Sequence, residues 1–302
     1  MMSTLINNRK DILHLVAQYG SPLAIFEPAK LEKQYRNLRA AMPKVDLFFA
    51  VKSLPKAAVI NTLDKLGSFF DVATIGEIEL LKQQGIKGQN CIFTHPIKKP
   101  SDIKAAIDFG ISTFVYDNEI ELEKFIPFRH RVQLLLRISF PNDEAQIKLF
   151  EKFGTAFEQA QTLLNKSSTM GINTIGISFH VGSRMNCAKE YIKAIEKSAQ
   201  LFAWSKNHLN HTMTILDIGG GFPCFESESS ESRASFFEPI NAALKAYLPH
   251  TKIIAEPGRC IANSCIGIAS SVIGKSIKDG TRWYFLDDGI YGSFSGICFD
   301  NR

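Results

Sequence analysis

The sequence predicts an α/β protein whose main part is a closed (β/α)8 barrel of the TIM type. Three observations predict it. Short apolar runs alternate with amphipathic segments between residues 46 and 255. Such alternation implies parallel strands joined by crossover helices. Eight repeats occupy about 210 residues, close to the about 250 typical of a closed eight-fold barrel. Each apolar run also ends on polar residues, as expected when all strands open onto one mouth. A doubly wound open sheet is the alternative arrangement.

Residues 11–19 carry apolar side chains at helical spacing, with Gly20 placed to end the helix. Residues 22–26 read as a strand and residues 31–42 as an amphipathic helix. The repeat begins with a strand over 46–51 and a helix over 57–66. It continues with strand 69–73 and helix 75–84, strand 91–94 and helix 103–109, then strand 113–116 and helix 119–125. Strand 133–138 is followed by a long polar loop that ends at Lys152-Phe153-Gly154. Helix 157–166, strand 174–179, helix 190–209, strand 214–218, helix 236–247 and strand 252–255 complete the pattern. After Arg259 the pattern changes: residues 266–273 and 283–286 read as strands with no helix between them, and Asp279-Gly280 marks a turn. The expected division is therefore a barrel over residues 24–260 and a partial β-sheet domain from residues 1–23 and 261–302.

The 302 residues are 45% hydrophobic and 22% charged, an ordinary balance for a folded chain, and 23 Phe supply material for a large core. The net charge of +5 is spread along the chain without a basic block, which argues against a nucleic-acid partner. Six cysteines lie far apart with no Cys-x-x-Cys pair, so neither a metal site nor a disulfide framework is expected. The polar start lacks a signal segment and no apolar run is long enough to span a bilayer. A reduced, cytoplasmic setting is the expectation.

The chemistry is expected where the strands end. Phe48-Phe49-Ala50-Val51-Lys52 is an apolar run that closes on a lysine. Burying that amine costs desolvation unless it has a partner or a task. It is either a solvated strand terminus or an amine that bonds covalently to a carbonyl cofactor. The other strands end on Asp71-Val72-Ala73, Thr94-His95-Pro96, Tyr116-Asp117, Leu136-Arg137-Ile138, Phe179-His180-Val181-Gly182-Ser183, Asp217-Ile218-Gly219-Gly220-Gly221 and Ala255-Glu256-Pro257-Gly258-Arg259. Singly, Arg137 or Glu256 reads as half of a buried ion pair and His180 as a core histidine. Together they place a lysine, histidines, an arginine, carboxylates and a glycine-rich turn on one rim. Gly219-Gly220-Gly221 lets backbone N–H groups approach and cradle an anion. Gly258-Arg259 and the Ser183 hydroxyl add donors. A phosphate cup beside an amine that can hold a carbonyl points to pyridoxal 5′-phosphate.

These residues resemble a known family. Phe49-Ala50-Val51-Lys52, the run from Phe70 to Glu77, His180-Val181-Gly182-Ser183, Gly219-Gly220-Gly221-Phe222-Pro223, Glu256-Pro257-Gly258-Arg259 and the run from Asp287 to Phe294 are similar to motifs of the fold-type III decarboxylases of ornithine, lysine and diaminopimelate. The six motifs stand in the family's order, and the resemblance runs from about residue 15 to the end. Thr94-His95-Pro96-Ile97-Lys98, Tyr291-Gly292-Ser293-Phe294 and the loop ending at Gly154 are closer to the ornithine/lysine branch.

The resemblance implies a pyridoxal-phosphate enzyme that removes the carboxyl group of a basic amino acid, L-ornithine giving putrescine. It implies a homodimer with active sites at the interface. Lys52 would hold the cofactor aldehyde, Glu256 would face the pyridine nitrogen, and His180 would stack on the ring. Ser183, the turn Gly219-Gly220-Gly221 and Pro257-Gly258-Arg259 would hold the phosphate end. Asp71 and Arg137 would orient lysine and ring, and Asp287 and Asp288 would bind the distal amine of the substrate. One departure stands out. The family usually continues past the point where this sequence stops, with a cysteine-aspartate motif given across the dimer interface and a tyrosine near the phosphate. None of the six cysteines here lies in that context, so a β domain incomplete relative to the family is expected. A non-catalytic relative that pairs with an active decarboxylase, a lysine or diaminopimelate decarboxylase, and an amino-acid racemase are the other readings.

Overall fold

The computed structural model describes residues 9–141, 152–225, 230–296 and 298. Most of the polar loop after the fifth repeat, residues 142–151, lies outside them. In chain order the elements are α1 (Arg9–Tyr19), β1 (Leu23–Phe26), α2 (Pro28–Ala41), β2 (Val45–Ala50), α3 (Ala57–Lys65), β3 (Phe69–Val72), α4 (Ile75–Gln83), β4 (Cys91–Phe93), α5 (Pro100–Phe109), β5 (Thr113–Tyr116) and α6 (Glu119–Glu123). There follow β6 (Gln133–Ser139), β7 (Thr155–Ala156), α7 (Phe157–Thr169), β8 (Thr174–Phe179), α8 (Ala188–Leu209), β9 (Ile215–Asp217), α9 (Ser230–Tyr247), β10 (Lys252–Ala255), α10 (Arg259–Ala262), β11 (Ile266–Ala269), β12 (Val272–Lys278) and β13 (Thr281–Leu286). The chain divides into two compact units. One is Glu32–Ala262, and the other comprises the described residues of Met1–Leu31 and Asn263–Arg302.

In the larger unit β2, β3, β4, β5, β6, β8, β9 and β10 form a ring of parallel strands. The ring closes because β10 pairs with β2 and β5 with β6. Closure decides between the barrel and the open sheet. Local sequence explains the helix starts. Thr74 accepts from the Glu77 N–H at 3.3 Å, while Glu77 reaches back to the Ala73 N–H at 2.6 Å, a reciprocal cap for α4. Asn118 caps α6 by accepting from the Glu121 N–H at 3.0 Å. Pro100 opens α5, where its missing N–H goes unneeded. Helix α9 begins at Ser230, ahead of the predicted start at residue 236, and carries Pro239 inside it. Packing of Phe225 against Phe236 and Phe237, at 5.9 and 5.7 Å between ring centroids, holds the turns ahead of the proline.

The barrel core takes one apolar side chain from every strand: Phe48, Phe69, Ile92, Val115, Leu135, Ile175, Ile215 and Ile254. Phe48 and Phe69 stack at 4.9 Å. Strand side chains repeat every two residues. The next inward positions are therefore Ala50, Asp71, Thr94, Asp117, Arg137, Asp217 and Glu256. A local register shift in β8 puts Ser178 on that layer instead. The apolar layer thus carries a polar layer directly above it, at the carboxyl ends of the strands.

In the smaller unit β1 pairs antiparallel with β11, and β12 with β13. The sequence reads 266–273 as one strand; the structure breaks it at Ser270-Ser271. There the Ser271 N–H donates to Asp287 Oδ1 at 2.9 Å and the Asp287 N–H donates to the Ser271 carbonyl at 3.1 Å. Ser271 is thereby tied to Asp287 instead of to β1. The β12–β13 hairpin is exposed on both faces, Ile273, Ile277 and Trp283 through Leu286 included.

Candidate active site

Lys52 follows β2 in a short 3-10 turn (Val51–Ser53), and its side chain is exposed. The turn is fixed by the Ser53 hydroxyl, which donates to the Ala50 carbonyl at 2.7 Å. The Ala50 N–H donates to the Pro257 carbonyl at 3.0 Å, and Gly258 packs on Ser53 and Ala50 so closely that a Cβ would lie 3.1 Å from the Ser53 Cβ. The ends of β2 and β10 are thus pinned together.

Three carboxyl groups are buried in the polar layer. Asp71 Oδ1 accepts from the Thr94 hydroxyl at 2.5 Å, while its Oδ2 has no hydrogen-bond partner among the described residues. Asp217 accepts from the Gly219 N–H at 2.9 Å and from the Ser178 hydroxyl at 3.0 Å. The Glu256 side chain is buried in the same layer, and its N–H donates to the Gly219 carbonyl at 2.8 Å. Burial pushes the Glu256 carboxyl well above its ordinary range, and the Asp217 charge and hydrogen bond push it further. Burial and then the Glu256 charge raise Asp71 well above its range, with Lys52 opposing. Burial also raises Asp217, but donation from Glu256, Gly219 and Ser178 opposes it. Burial and the mutual charge of three carboxyls outweigh the few cations beside them, so each holds its proton to higher pH than a free carboxyl does.

His180 follows β8. Its Nδ1 accepts from the Gly182 N–H at 3.0 Å. Burial, then the Arg137 and Lys52 charges, lower its pKa to about 3, so the ring is neutral at working pH. The glycine turn lies against it. A Cβ on Gly219 would sit 2.2 Å from the Phe179 carbonyl, on Gly220 2.5 Å from the Glu256 carbonyl, and on Gly221 2.0 Å from the Gly182 carbonyl. Gly221 also has φ +95°. Only glycines let this turn lie so close to the ends of β8 and β10. Arg137 lies with its guanidinium 5.5 Å over the Phe153 ring, and His95 meets the same ring edge-on at 5.4 Å. Ser183, in the segment after β8, and Arg259, at the start of α10, are half-buried.

Lys52, Asp71, Arg137, His180, Glu256, the glycine turn and Pro257-Gly258 are therefore neighbours in one unit. Asp287 and Asp288 belong to the other. There Asp287 accepts from Ser271 and from the Ser21 hydroxyl. Asp288 Oδ1 accepts from the Gly289 N–H at 2.8 Å and the Ser293 N–H at 3.0 Å, while its Oδ2 lacks a hydrogen-bond partner among the described residues. Donation from Ser293 and Gly289 holds the Asp288 carboxyl below its usual value.

The sequence reading assigned no task to Asp217, Ser178 or Tyr191. The Tyr191 hydroxyl donates to the Gly220 carbonyl at 2.9 Å, and its ring stacks on Phe222 at 5.2 Å, bracing the glycine turn from behind. Period-two alternation beyond Ile215 was the signal for Asp217. Nothing local marks Tyr191, which arrives from a helix about 30 residues away in sequence.

A family model for the pyridoxal-binding domain of pyridoxal-dependent decarboxylases matches residues 28–263. The chain is similar to a lysine/ornithine decarboxylase of Selenomonas ruminantium, 34% identical over 97% of this chain and 75% of that protein. It is also similar to antizyme inhibitor 2 of Xenopus laevis, 35% identical over 97% of this chain and 67% of that protein. The crystal structure of a lysine/ornithine decarboxylase from Vibrio vulnificus, complexed with putrescine, superposes with a TM-score of 0.90. It is 38% identical, covering 98% of this chain and 80% of that one.

Proposed function

The chain belongs to the pyridoxal-dependent decarboxylase family, and on that premise we propose that it converts L-ornithine to putrescine and CO2, one proton replacing the carboxylate. The observation that carries the proposal is the polar layer: one exposed lysine whose charge is felt by Asp71, Glu77, His180 and Glu256 at a single rim. The residues fit pyridoxal phosphate on their own chemistry. An unpartnered buried oxygen on Asp71, and carboxyls whose ionisation burial opposes, suit a basic or cationic group among them. The close-lying glycine turn presents backbone, rather than side chains, to an anion.

Bound there, pyridoxal phosphate supplies an electron sink for the electron pair left when CO2 departs. Lys52 Nζ would hold its aldehyde carbon and give it up to the substrate amine. Glu256 would keep the ring nitrogen protonated. Neutral His180 would cover a ring face without adding a competing positive charge. Ser183, Gly219, Gly220, Gly221, Pro257, Gly258 and Arg259 would hold the phosphate. Asp71 and Arg137 would orient amine and ring. Asp288 would take the distal ammonium of ornithine through its unpartnered Oδ2, and Asp287, already engaged by Ser21 and Ser271, would hold that turn in place. A homodimer in the cytoplasm, serving polyamine synthesis, completes the proposal. Among the described residues no helix is long and apolar enough to cross a membrane.

The test is borohydride reduction of the protein incubated with pyridoxal phosphate, peptide mass analysis, and CO2 release from ornithine, lysine and diaminopimelate. An adduct on Lys52, absent in Lys52→Ala, with fastest release from ornithine is expected. Faster release from another substrate overturns the substrate assignment. An adduct without CO2 from any substrate overturns the activity and favours a non-catalytic role, of which the similarity to an antizyme inhibitor is the supporting observation. No adduct overturns the cofactor assignment.

A further inference from the structure

Arg137 is a cation of the polar layer without a direct counter-charge. It is half-buried on β6, and among the described residues it makes no hydrogen bond and no ion pair. Asp117, just past the end of the neighbouring strand β5, is occupied by neutral donors instead: the Gly154 N–H at 2.9 Å and the Asn118 side-chain amide at 2.8 Å. What Arg137 meets is an aromatic ring. Its guanidinium lies 5.5 Å from the centre of Phe153, and Lys152 Nζ lies 5.1 Å from the same centre. His95 closes on that ring at 5.4 Å, with the two planes at 73°.

The ring is fixed by its own chain. Gly154 has φ +93°, and a Cβ there would lie 2.7 Å from the Ser139 nitrogen, so the backbone turns hard against the end of β6 directly after Phe153. The pairs Ile138–Thr155 and Ser139–Ala156 then lock that segment to the strand that carries Arg137. On the side of His95, Lys98 holds the segment by donating to the carbonyls of His95, Pro96 and Val115 at 2.9, 2.7 and 2.7 Å. Burial lowers the His95 pKa, which disfavours a third positive charge at the ring. A carboxylate partner would consume the donors that lie in the guanidinium plane. An aromatic ring attracts the charge and leaves those donors free. Two cations at one ring also repel each other, and an anion seated beside them relieves that repulsion.

We infer that Arg137, Lys152 and Phe153 form a seat for an oxyanion of the bound small molecule, with Phe153 the positioning residue that presents the guanidinium to it. The inference rests on the placement of cofactor and substrate at this rim. Two sources supply that chemistry: an oxygen of the cofactor and the carboxylate of the amino acid.

The experiment replaces Phe153, in the full cofactor-free chain, by phenylalanines carrying one, two or three ring fluorines. Fluorine drains the negative ring face that attracts a cation and leaves the shape of the side chain nearly unchanged. In the first arm, calorimetry measures the affinity for pyridoxine 5′-phosphate, which has the ring and phosphate but no aldehyde to react with Lys52. In the second, the chain saturated with that ligand is titrated with ornithine and with putrescine, which differ by the carboxylate. Affinity should fall stepwise with fluorine content, by about 2- to 30-fold in total. A fall in the first arm assigns the seat to a cofactor oxygen. A fall for ornithine without one for putrescine assigns it to the carboxylate. In Arg137→Met the same series should lose most of its slope, because the ring then has no guanidinium to present. A flat series in both arms overturns the inference. An equal fall for ornithine and putrescine with a flat first arm overturns it too, as does an undiminished slope in Arg137→Met. Should Arg137→Met fail to fold, the fluorine series decides alone. Failure of the unsubstituted chain to bind pyridoxine 5′-phosphate instead overturns the assignment of the cofactor site.

Discussion

Gly221→Ala tests the close approach that shapes the anion-binding turn. A Cβ at Gly221 would lie 2.0 Å from the Gly182 carbonyl oxygen, a backbone atom on a neighbouring loop. That loop is tied to the turn by the bond from the Met185 N–H to the Gly221 carbonyl, 2.9 Å, so it has little room to retreat. Two costs add. An L-residue at φ +95° costs about 1–2 kcal/mol. Forcing a methyl into packed backbone costs about 1–3 kcal/mol more. The control is Gly67→Ala, at φ +76° with no atom within 4 Å of the added Cβ, which incurs the first cost alone. Urea unfolding of both variants should therefore show Gly221→Ala less stable by about 1–3 kcal/mol than Gly67→Ala. Pyridoxal phosphate affinity should fall in Gly221→Ala and stay unchanged in Gly67→Ala. Equal stabilities in the two variants would refute the reasoning, because the close contact would then cost nothing.

Other expectations are briefer. His180 is neutral in the fold down to about pH 3 but ionises near pH 6.5 when unfolded, so protons favour the unfolded chain between those values. The wild type should lose stability relative to His180→Asn as pH falls through that window, by up to about 1.4 kcal/mol per pH unit, measured by denaturant melts across pH. Tyr191→Phe leaves the buried Gly220 carbonyl short of a donor and should cost about 1–3 kcal/mol in the same assay. Lys98 is fully buried and donates to the carbonyls of His95, Pro96 and Val115 beside Glu121. Lys98→Met should cost about 3–5 kcal/mol by leaving Glu121 and three carbonyls poorly matched, and a loss under 1 kcal/mol would contradict that network.

Much of this protein was legible in one dimension. The predicted strands 113–116, 174–179 and 252–255 coincide with β5, β8 and β10 because each is a short apolar run bounded by turn residues. The helices over α3 and α4 end where predicted to within a residue for a similar reason. Less legible was the stretch 266–273, where apolar content continues but the chain changes partners. Pairing partners depend on Asp287, which meets Ser271 across 16 positions of sequence. The early start of α9 was likewise hidden, since proline argues locally against a helix that Phe225 stabilises from outside.

At the site, the sequence by itself determined which side chains end each strand, because period-two alternation and strand length are local properties. It therefore named Lys52, Asp71, Arg137, His180, the glycine turn and Glu256. Only the closed ring decided which of them touch. The folded sheet sets Thr94 on Asp71 and Ser178 on Asp217 and buries Glu256 beside them, and that burial raises all three carboxyls. The protonation state of a buried carboxyl depends on its neighbours in space through burial and charge, and no spacing along the chain encodes that sum.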